Sequence, residues 1–447
     1  MARPSRAAFV TLLASALSFG LVGGAGAVPT VVQAAPAVLT PATAEGVAPT
    51  AAGVQKALAA VLADPSLGKH RGVYVYDVSR DKVVFSTGTA TPYTPASTLK
   101  LLTTVSALAT LGPEHRFTTQ VVSAGKGSIV LVGGGDPLLT AKPAKSGGYP
   151  TRATLAALAA STAKALKAQG LTSVSLGFDA SLFTGPAGNA KWESNYLPEG
   201  IAARTSALWV DEGRLSSGMA KRADSPAAAA AVAFSKLLVA NGIKVVAAPA
   251  PKTAPAGAEA LAKVLSPTVG QIVEYVNLHS DNDGAEVLLR HVGLATKNGG
   301  SYAGGVTGLE ETLTKLGLDV SKAQIFDGSG LTRTNKVPLE LLAGAVRMAA
   351  SKDHPELRHL LTGLPIAGFS GSLEERFGAG SAGAGTGLVR AKTGTLTGVH
   401  SLAGMVRTRS GTVLAFAVAS DSVPVPKTLD ARAALDRAAA ALANCGC

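Results

Sequence analysis

The chain has 447 residues, of which 47% are hydrophobic and 4% aromatic, so it is long enough for two or three domains with cores of small aliphatic side chains. Its formal net charge is +12, but the basic residues are scattered and no aromatic side chains are interleaved with them. This pattern argues against nucleic acid as a partner and favours an anionic cell-wall polymer or membrane surface. The alternative is that the charge only keeps the protein soluble.

The N-terminus predicts export. Arg3 and Arg6 precede an apolar run over residues 7–22, and the small residues 25–27 follow it. These are the three parts of a secretory signal peptide, whereas an uncleaved membrane anchor, the alternative, needs about 20 unbroken apolar residues. We therefore expect a signal peptide over residues 1–27 and a flexible linker over 28–52. The mature protein would be periplasmic or otherwise extracytoplasmic, associated with the cell wall or secreted.

The predicted elements place strands near both ends of the chain. Residues 71–86 alternate in polarity and turn at 79–82, which predicts a β-hairpin. Thr94 and Pro95 predict an N-cap and a first helical proline for a helix that ends at Gly112. Further strands are expected over 117–122, 128–132, 389–395, 401–407 and 412–419. Further helices are expected over 152–170, 226–241, 269–278, 284–292, 338–350, 357–361 and 430–443. This order predicts a sheet built from both ends of the chain, with residues 116–265 as an insertion.

The segment Ser97-Thr98-Leu99-Lys100 carries a hydroxyl and an amine three residues apart on the predicted helix, so both emerge on one face. Ser97 lies in the first turn, where free N–H groups and the helix dipole favour developing negative charge. A lysine buried beside a serine can lose its proton and act as a base. Taken alone, the segment favours the alternative, an ordinary amphipathic helix with one exposed lysine.

The segment Ser280-Asp281-Asn282 lies between two predicted helices. Ser280 suits a proton relay, and the amide of Asn282 suits the orientation of a substrate. The alternative is helix capping, since Asp283 with Glu286 resembles a capping box. Both interpretations can hold, because a capped loop is a rigid platform for side chains.

The segment Lys392-Thr393-Gly394-Thr395 falls in a predicted edge strand. Gly394 would let a ligand backbone lie against the strand, while Lys392, Thr393 and Thr395 offer a positive charge and hydroxyls to a carboxylate. The three segments are separated by 183 and 112 residues. Together they specify a serine nucleophile, an amine base, a second hydroxyl and a cationic anchor for attack on a peptide or lactam carbonyl.

This arrangement resembles the penicillin-binding protein and serine β-lactamase superfamily. Within it, the chain resembles the D-alanyl-D-alanine carboxypeptidase/endopeptidase family exemplified by penicillin-binding protein 4. The narrower match rests on four further segments, VGGGDP at 132–137, DGSGL at 327–331, LPIAG at 364–368 and LAG at 402–404. It spans roughly residues 55–443, and the gap of 183 residues requires an inserted domain that is shorter than in larger members.

The resemblance implies an α/β (α+β) fold of the β-lactamase/transpeptidase type, with an antiparallel sheet flanked by helices. A discontinuous catalytic domain would comprise residues 53–115 and 266–447, and the smaller inserted domain residues 116–265. The implied activity is hydrolysis of D-Ala-D-Ala stem peptides of peptidoglycan through an acyl-enzyme, which β-lactam antibiotics also form. The resemblance does not separate carboxypeptidase from endopeptidase action on crosslinked peptides, because both use one site.

The resemblance also implies a role for each candidate residue. The catalytic set is Ser97, Lys100, Ser280, Asn282 and Lys392. The substrate-binding set is Thr393, Gly394, Thr395 and Arg333. In this scheme the N–H groups of Ser97 and Thr395 form the oxyanion hole, and Ser280 protonates the leaving amine. Lys392 and Thr393 hold the terminal carboxylate, Asn282 the peptide amide, and Arg333 the peptide side chain.

No cofactor and no metal are expected. Residues 378–383 fit the pattern G-x-G-x-x-G, but they follow no strand and open no helix. The histidines lack a His-Glu-x-x-His segment. Two alternative functions stay open, a serine β-lactamase and a catalytically silent wall-binding protein of the same fold. The long gap between the first two segments, and the lack of a recognisable deacylating Glu-x-x-x-Asn element, disfavour the β-lactamase.

Overall fold

The computed structural model describes residues 47–144, 148–216, 219–378 and 380–445. The predicted signal peptide (1–27) and all but the last residues of the predicted linker (28–52) lie outside the described residues. Within these ranges no helix has both the length and the apolar character that crossing a membrane requires.

The described residues form eleven β-strands and ten α-helices. The strands are β1 (Arg71–Asp77), β2 (Lys82–Thr87), β3 (Thr118–Ser123), β4 (Ser128–Val132), β5 (Ser173–Asp179), β6 (Lys244–Val245), β7 (Ala250–Pro251), β8 (Ala260–Leu265), β9 (Val389–Leu396), β10 (Val399–Arg407) and β11 (Val413–Ser420). The α-helices are α1 (Ala51–Leu62), α2 (Lys100–Leu111), α3 (Leu155–Ala168), α4 (Pro226–Ala240), α5 (Val269–His279), α6 (Asn282–Ala295), α7 (Tyr302–Lys315), α8 (Leu339–Ala350), α9 (His359–Thr362) and α10 (Thr428–Ala443).

The first sheet joins both ends of the chain, as the sequence predicts. Its five strands are antiparallel, in the order β2-β1-β11-β10-β9, so β9 lies at an edge. Side chains alternate along β11: Leu414 and Phe416 pack with α1 and α10 in one core, whereas Ala415 and Ala417 face the core that contains α2, α5, α6 and α8. The alanines allow these helices to approach the sheet closely.

A second sheet forms entirely within residues 118–265. Its strand order is β6-β5-β4-β3-β8, with β7 also paired to β5. The pairs β3–β4 and β3–β8 are antiparallel, whereas β4–β5 and β5–β6 are parallel. Helices α3 and α4 contribute Leu158 and Phe234 to a separate aliphatic core against this sheet. We call residues 116–180 and 225–265 the insert layer; the boundaries predicted for the two domains stay a prediction.

Part of the predicted insertion packs outside the insert layer. Between residues 181 and 210 the described chain forms no α-helix or strand. Trp192, Tyr196 and Ala202 from this stretch join the core of α2, α5 and α6. The stretch, which we call the strap, therefore lies against the helices that carry the three sequence segments.

Most predicted elements are confirmed within a few residues, but the start of the second helix is wrong. Thr94 is no N-cap: its N–H donates to Asp421 Oδ2 (2.9 Å) and its hydroxyl to the carbonyl of Arg333 (3.3 Å). A 3₁₀ turn over Ala96–Leu99 precedes α2. The residue that opens this turn, Ala96, has a left-handed backbone with φ 48°, which prevents a regular helix from beginning at Pro95.

The sequence patterns did not predict two helices, α1 and α7. Helix α1 begins at Ala51 with Thr50 as its N-cap, inside the predicted linker. Helix α7 contains Gly304, Gly305 and Gly308, which lower helix propensity. These glycines let α6 and α7 touch, since a Cβ on Gly305 would lie 2.6 Å from the carbonyl oxygen of Leu289.

Candidate active site

The hydroxyl of Ser97 and the amine of Lys100 meet at the start of α2. Lys100 Nζ lies 3.0 Å from Ser97 Oγ and donates to Asn282 Oδ1 and to the carbonyl of Ser329, both at 2.7 Å. Lys100 is completely buried, while Ser97 is partly exposed. The pair therefore joins an accessible hydroxyl to an amine that has no contact with solvent.

The environment of Lys100 makes its neutral form accessible. Burial lowers the pKa of Lys100 to about 8, against the opposing negative field of Glu286 and then Asp281. An amine with this pKa is partly neutral near neutral pH, and one at 3.0 Å from a hydroxyl can accept its proton.

The backbone before Ser97 is held in a strained form. Ala96 has φ 48°, which costs a non-glycine residue on the order of 1 kcal/mol or more. The carbonyl of Pro95 accepts hydrogen bonds from Ser401 Oγ (2.6 Å) and Thr98 Oγ1 (2.7 Å). A Cβ on Gly330 would lie 1.9 Å from the carbonyl oxygen of Ala96, so only glycine fits there. The surrounding chain thus fixes the direction of Ser97.

Ser280 ends α5 with a left-handed backbone (φ 56°), and its hydroxyl faces the third sequence segment. Lys392 Nζ donates to Ser280 Oγ at 2.8 Å and to the carbonyl of Thr393 at 3.0 Å. Lys392 is completely buried. Burial, and next the charges of Lys100 and Arg376, hold the pKa of Lys392 well below its usual range. A bound carboxylate would relieve this unfavourable position of the ammonium, so the site favours an anion.

Asn282 connects Lys100 to the strap. Its Oδ1 accepts from Lys100, and its Nδ2 donates to the carbonyl of Ile201 at 3.0 Å. The predicted capping box of Asp283 and Glu286 is wrong. Asp281 is the N-cap of α6, where it accepts from the N–H of Asp283 at 3.0 Å.

Asp283 and Glu286, which do not form the predicted capping box, make other contacts. Asp283 accepts from the N–H of Ala203 (2.7 Å) and pairs with Arg222 (2.8 Å), which fastens the second segment to the predicted insertion. Glu286 accepts from the N–H groups of Gly328 and Ser329, both at 2.9 Å. Because the carbonyl of Ser329 binds Lys100, Glu286 supports the base indirectly.

Gly394 of the third segment lies in close contact with the chain on two sides. A Cβ on Gly394 would lie 2.1 Å from Ser401 Oγ and 2.6 Å from the carbonyl oxygen of Pro95. Glycine is therefore required for contact with the segment that precedes Ser97. Its predicted place against a ligand backbone stays a prediction. Beside it, the hydroxyl of Thr393 bonds to Ser372 (2.8 Å), and Thr395 is exposed on the edge strand β9.

Arg333 lies at the end of the same edge strand. Its Nη2 donates to the carbonyl of Thr397 at 2.7 Å, and its Nε lies 3.9 Å from Glu193 of the strap. The side chain is 39% exposed. The structure thus brings Arg333 near the turn between β9 and β10, with part of its guanidinium open to solvent. Its predicted contact with a peptide side chain stays a prediction.

A cluster of carboxylates beneath Ser280 was not anticipated. Glu212, Asp281 and Asp283 present oxygens within 4.8 Å of one another. Burial, and next Glu212, raise the pKa of Asp281 to about 8, and burial raises that of Asp283 to about 6 against the charge of Arg222. Arg222 bonds to both Glu212 (3.3 Å) and Asp283, and Arg214 also pairs with Glu212 (2.8 Å). The two arginines supply the positive charge that a cation would bring.

The loop that carries Ser329 is organised by a buried carboxylate that sequence reasoning missed as a functional group. Asp327 accepts from Trp192 Nε1 (3.0 Å), from the N–H of Thr332 (2.7 Å) and from Asn335 Nδ2 (2.8 Å). Trp192 belongs to the strap and is 135 residues away in sequence. The DGSG segment was the only sequence signal for this loop, and nothing in the sequence indicates its partner.

A model of the D-Ala-D-Ala carboxypeptidase 3 (S13) family matches residues 54–224 and 215–442. The chain is similar to a carboxypeptidase of Mycobacterium tuberculosis, with 37% identity over 406 residues, which cover 89% of this chain and 85% of the relative. It is also similar to the carboxypeptidase DacB of Mycolicibacterium smegmatis, with 36% identity over 431 residues, covering 93% and 91%.

Among solved structures, the chain is similar to penicillin-binding protein 4 of Haemophilus influenzae. The TM-score is 0.71 at 22% identity, over 86% of this chain and 98% of the other. At this identity the likeness concerns the fold. It confirms the predicted β-lactamase/transpeptidase-like class.

Proposed function

The chain belongs to the D-Ala-D-Ala carboxypeptidase 3 (S13) family, and we propose that it cleaves the terminal D-Ala-D-Ala bond of peptidoglycan stem peptides with Ser97 as nucleophile and Lys100 as base. The observation that carries these assignments is the distance of 3.0 Å between Lys100 Nζ and Ser97 Oγ, with the amine buried. The second hydroxyl, Ser280, is held 2.8 Å from a second buried amine, that of Lys392.

In the first step Ser97 Oγ attacks the carbonyl between the two terminal D-alanines and its proton passes to Lys100 Nζ. The negative charge that develops on the carbonyl oxygen is stabilised by the N–H groups of Ser97 and Thr395. The C–N bond then breaks, and Ser280, with Lys100, delivers the proton to the departing amine of D-alanine. Water hydrolyses the resulting ester and restores the Ser97 hydroxyl.

Substrate binding uses the residues around the edge strand. The ammonium of Lys392 and the hydroxyl of Thr393 bind the terminal carboxylate, which supplies the anion that the buried lysine lacks. Asn282 Oδ1 already accepts from Lys100 and keeps a second lone pair for the peptide N–H of the substrate. Arg333 contacts the peptide side chain further along the strand.

The same chemistry accounts for acylation by β-lactams. The lactam carbonyl takes the place of the scissile carbonyl, and the drug carboxylate that of the terminal D-alanine. The opened ring keeps the leaving amine attached, so it stays near Ser280 and impedes the approach of water. The ester of Ser97 therefore persists.

Release of D-alanine from a synthetic peptide that ends in D-Ala-D-Ala tests this function. The wild-type protein is expected to release one D-alanine from each peptide molecule, and Ser97→Ala is expected to release none. Rapid turnover of benzylpenicillin without release of D-alanine would instead indicate a β-lactamase. No reaction with either compound would indicate a silent wall-binding protein.

We further propose that the protein is exported and that the insert layer meets an anionic wall polymer or membrane surface. Export is supported by the pattern of residues 1–27 and by a family that acts on cell-wall peptides. The insert layer contains eleven lysines and arginines against three acidic residues. Two of these acids, Asp136 and Asp179, are buried, whereas Glu259 is exposed. We also propose the catalytic domain as residues 53–115 and 266–447, since the strands of the first sheet come from these ranges.

A further inference from the structure

Two residues of the DGSG segment connect α6 to α2 through their backbone. On the α6 side, the carboxylate of Glu286 accepts from the N–H groups of Gly328 and Ser329, both at 2.9 Å. On the α2 side, Thr103 Oγ1 donates to the carbonyl of Gly328 at 2.7 Å. Lys100 Nζ donates to the carbonyl of Ser329 at the same distance of 2.7 Å. One carboxylate therefore fixes, through the backbone, an oxygen that holds the amine of Lys100.

Gly328 and Ser329, which we call the bridge, lie in tight packing. A Cβ on Gly328 would lie 2.7 Å from the carbonyl oxygen of Ala285 and 2.9 Å from Leu289 Cβ, so the backbone of the bridge touches α6 directly. Ser329 and Glu286 are completely buried. Because a close-packed interior leaves little room for relaxation, a change at the carboxylate should reach the contact with the amine.

Glu286 also places a charge close to the amine. Burial, and next the charge of Asp327, raise the pKa of Glu286 to about 8, whereas its hydrogen bonds to the bridge favour the ionised form. Among the negative groups that oppose the effect of burial on the pKa of Lys100, Glu286 has the largest influence. Lys100 and Glu286 thus change charge over the same range of pH, and the charge of one affects that of the other.

Other charged groups lie around this pair. Those that interact with Lys100 are Asp281, Asp327, Asp283 and Lys392. Those that interact with Glu286 are Lys100, Asp327 and Tyr302. Asp281 caps α6, and Asp327 bonds to the strap and to the chain that follows Ser329. These carboxylates act on the amine through their charge, whereas Glu286 also holds the residue whose carbonyl binds it.

We propose that Glu286 is a positioning residue that sets both the place and the basicity of the Lys100 amine through the backbone of Ser329. The inference rests on the proposed function, in which Ser97 gives its proton to Lys100 as the Oγ–C bond forms. This transfer turns a neutral amine into an ammonium in a buried site, where an uncompensated charge is unfavourable. The negative charge of Glu286 compensates the ammonium, and Glu286 itself neither gains nor loses a proton in the step.

The second-order rate of acylation by benzylpenicillin, measured from pH 6 to 9, tests this role. Glu286→Gln removes the charge, and we expect the midpoint of the profile to fall by about one pH unit from the wild-type value near 8. The limiting rate above the midpoint should also fall, because a less basic amine is a weaker proton acceptor. Glu286→Asp keeps the charge on a shorter side chain and should acylate more slowly with its midpoint still near 8. Glu311→Gln, the same change at an exposed carboxylate on α7, should match the wild-type profile.

The position of the midpoint separates this role from simple support of the fold. A slower rate and a lower Tm for Glu286→Gln, with the midpoint unchanged, would overturn the inference and leave the roles of Ser97 and Lys100 intact. If Glu286→Gln does not fold, Glu286→Asp decides: a midpoint near 8 supports the role of the charge, and a midpoint displaced by about one pH unit or more refutes it. Wild-type protein that forms no adduct on Ser97 would refute the proposed function and this inference with it.

Discussion

The region around Ser97, which we call the catalytic region, buries charged side chains, whereas the insert layer exposes most of its basic ones. Around Ser97 the protein buries Lys100, Lys392 and Glu286 completely and connects Lys100 and Lys392 to other polar groups by hydrogen bonds. In the insert layer the basic side chains are exposed except for Arg152, which is half-buried, among the residues that the structure describes. Buried charges have shifted pKa values and can exchange protons near neutral pH, whereas exposed charges keep their ordinary state and act at longer range. We therefore expect the chemistry in the first region and, as proposed, the attraction of an anionic polymer in the second.

The strap and Arg222 join the two regions. Arg222 is buried and pairs with both Glu212 and Asp283, next to the proposed proton relay. Asp283, which directly follows the segment Ser280-Asp281-Asn282, is thus fastened by a residue that lies within the predicted insertion. The two regions therefore have separate cores, and Arg222, which lies just before the second part of the insert layer, contributes a buried electrostatic contact at their junction.

Loss of the base should have the largest effect. Lys100→Ala is expected to lower the second-order rate of acylation by benzylpenicillin about 10³-fold, within the range for a general base. Time-resolved intact-mass measurement follows the adduct. Lys164→Ala, which changes an exposed lysine of the insert layer, should acylate at the wild-type rate. Acylation of Lys100→Ala within tenfold of wild type would show that Lys100 is not the base.

A substitution in the core of the insert layer should lower stability without changing the rate of acylation. Phe234 is completely buried in that core, and Phe234→Ala should lower the free energy of unfolding of this layer by about 3–5 kcal/mol. Below the unfolding temperature the rate of acylation by benzylpenicillin should stay at the wild-type value. Calorimetry combined with the acylation assay measures both. A parallel fall in acylation would mean that the active site depends on the packing of the insert layer.

The buried contact between the regions should depend on pH. Arg222→Gln leaves Glu212 and Asp283 without this partner, and it should cost about 3 kcal/mol of stability at pH 8. Asp281 and Asp283 have pKa values raised to about 8 and about 6, so both take up protons as the pH falls. A protonated carboxyl needs no cationic partner, and the loss should therefore shrink at pH 5.

Urea unfolding at pH 5 and pH 8 measures this difference. The matched control is Arg204→Gln, whose partner Asp224 is 94% exposed, so its loss should stay below about 0.5 kcal/mol at both pH values. A cost for Arg222→Gln that is equal at pH 5 and pH 8 would contradict the electrostatic account of the junction.

The rate of acylation should follow the neutral form of Lys100. Burial lowers its pKa from 10.5 to about 8, so the fraction of neutral amine falls roughly tenfold per pH unit below that value. The second-order rate for benzylpenicillin, whose carboxylate does not titrate between pH 6 and 9, should rise over this range with a midpoint near 8. A flat profile would exclude a titrating amine with this pKa as the base.

Changes in the exposed lysines should have the smallest effect on the folded protein. The quadruple variant Lys164→Gln, Lys167→Gln, Lys236→Gln, Lys244→Gln should change stability by less than about 0.5 kcal/mol and leave benzylpenicillin acylation unchanged. Retention on anionic wall material in 50 mM salt should fall, and added salt should abolish it for the wild-type protein. The same four-lysine change at Lys56, Lys69, Lys315 and Lys322, outside the insert layer, is the control. Equal losses of retention for both variants would show that the insert layer does not bind anionic wall material more strongly than the rest of the surface.

Much of the geometry of the candidate site could be predicted from the sequence because its groups lie in short segments. Ser97 with Lys100, and Ser280 with Asn282, depend on local spacing that a helix or a helix junction converts into geometry. The β-hairpin and the strands of the first sheet could be predicted for the same reason, since alternation is a local property.

The remaining features depend on contacts that no local pattern records. Glu286 looks like part of a capping box until it is seen to bind the N–H groups of Gly328 and Ser329, 42 and 43 residues away. Gly394 is also required by a contact with Pro95, in the segment before Ser97, that the sequence does not indicate. Arg222 gives no local signal at all, because both of its carboxylate partners are set by the fold.

The central claim is that Ser97 is the nucleophile of a site activated by Lys100. Intact-mass measurement after exposure to benzylpenicillin, followed by peptide mapping, tests it most directly. The wild-type protein is expected to gain one drug mass on the peptide that contains Ser97, and Ser97→Ala to gain none. An adduct that persists in Ser97→Ala, or that maps to another residue, would contradict the account.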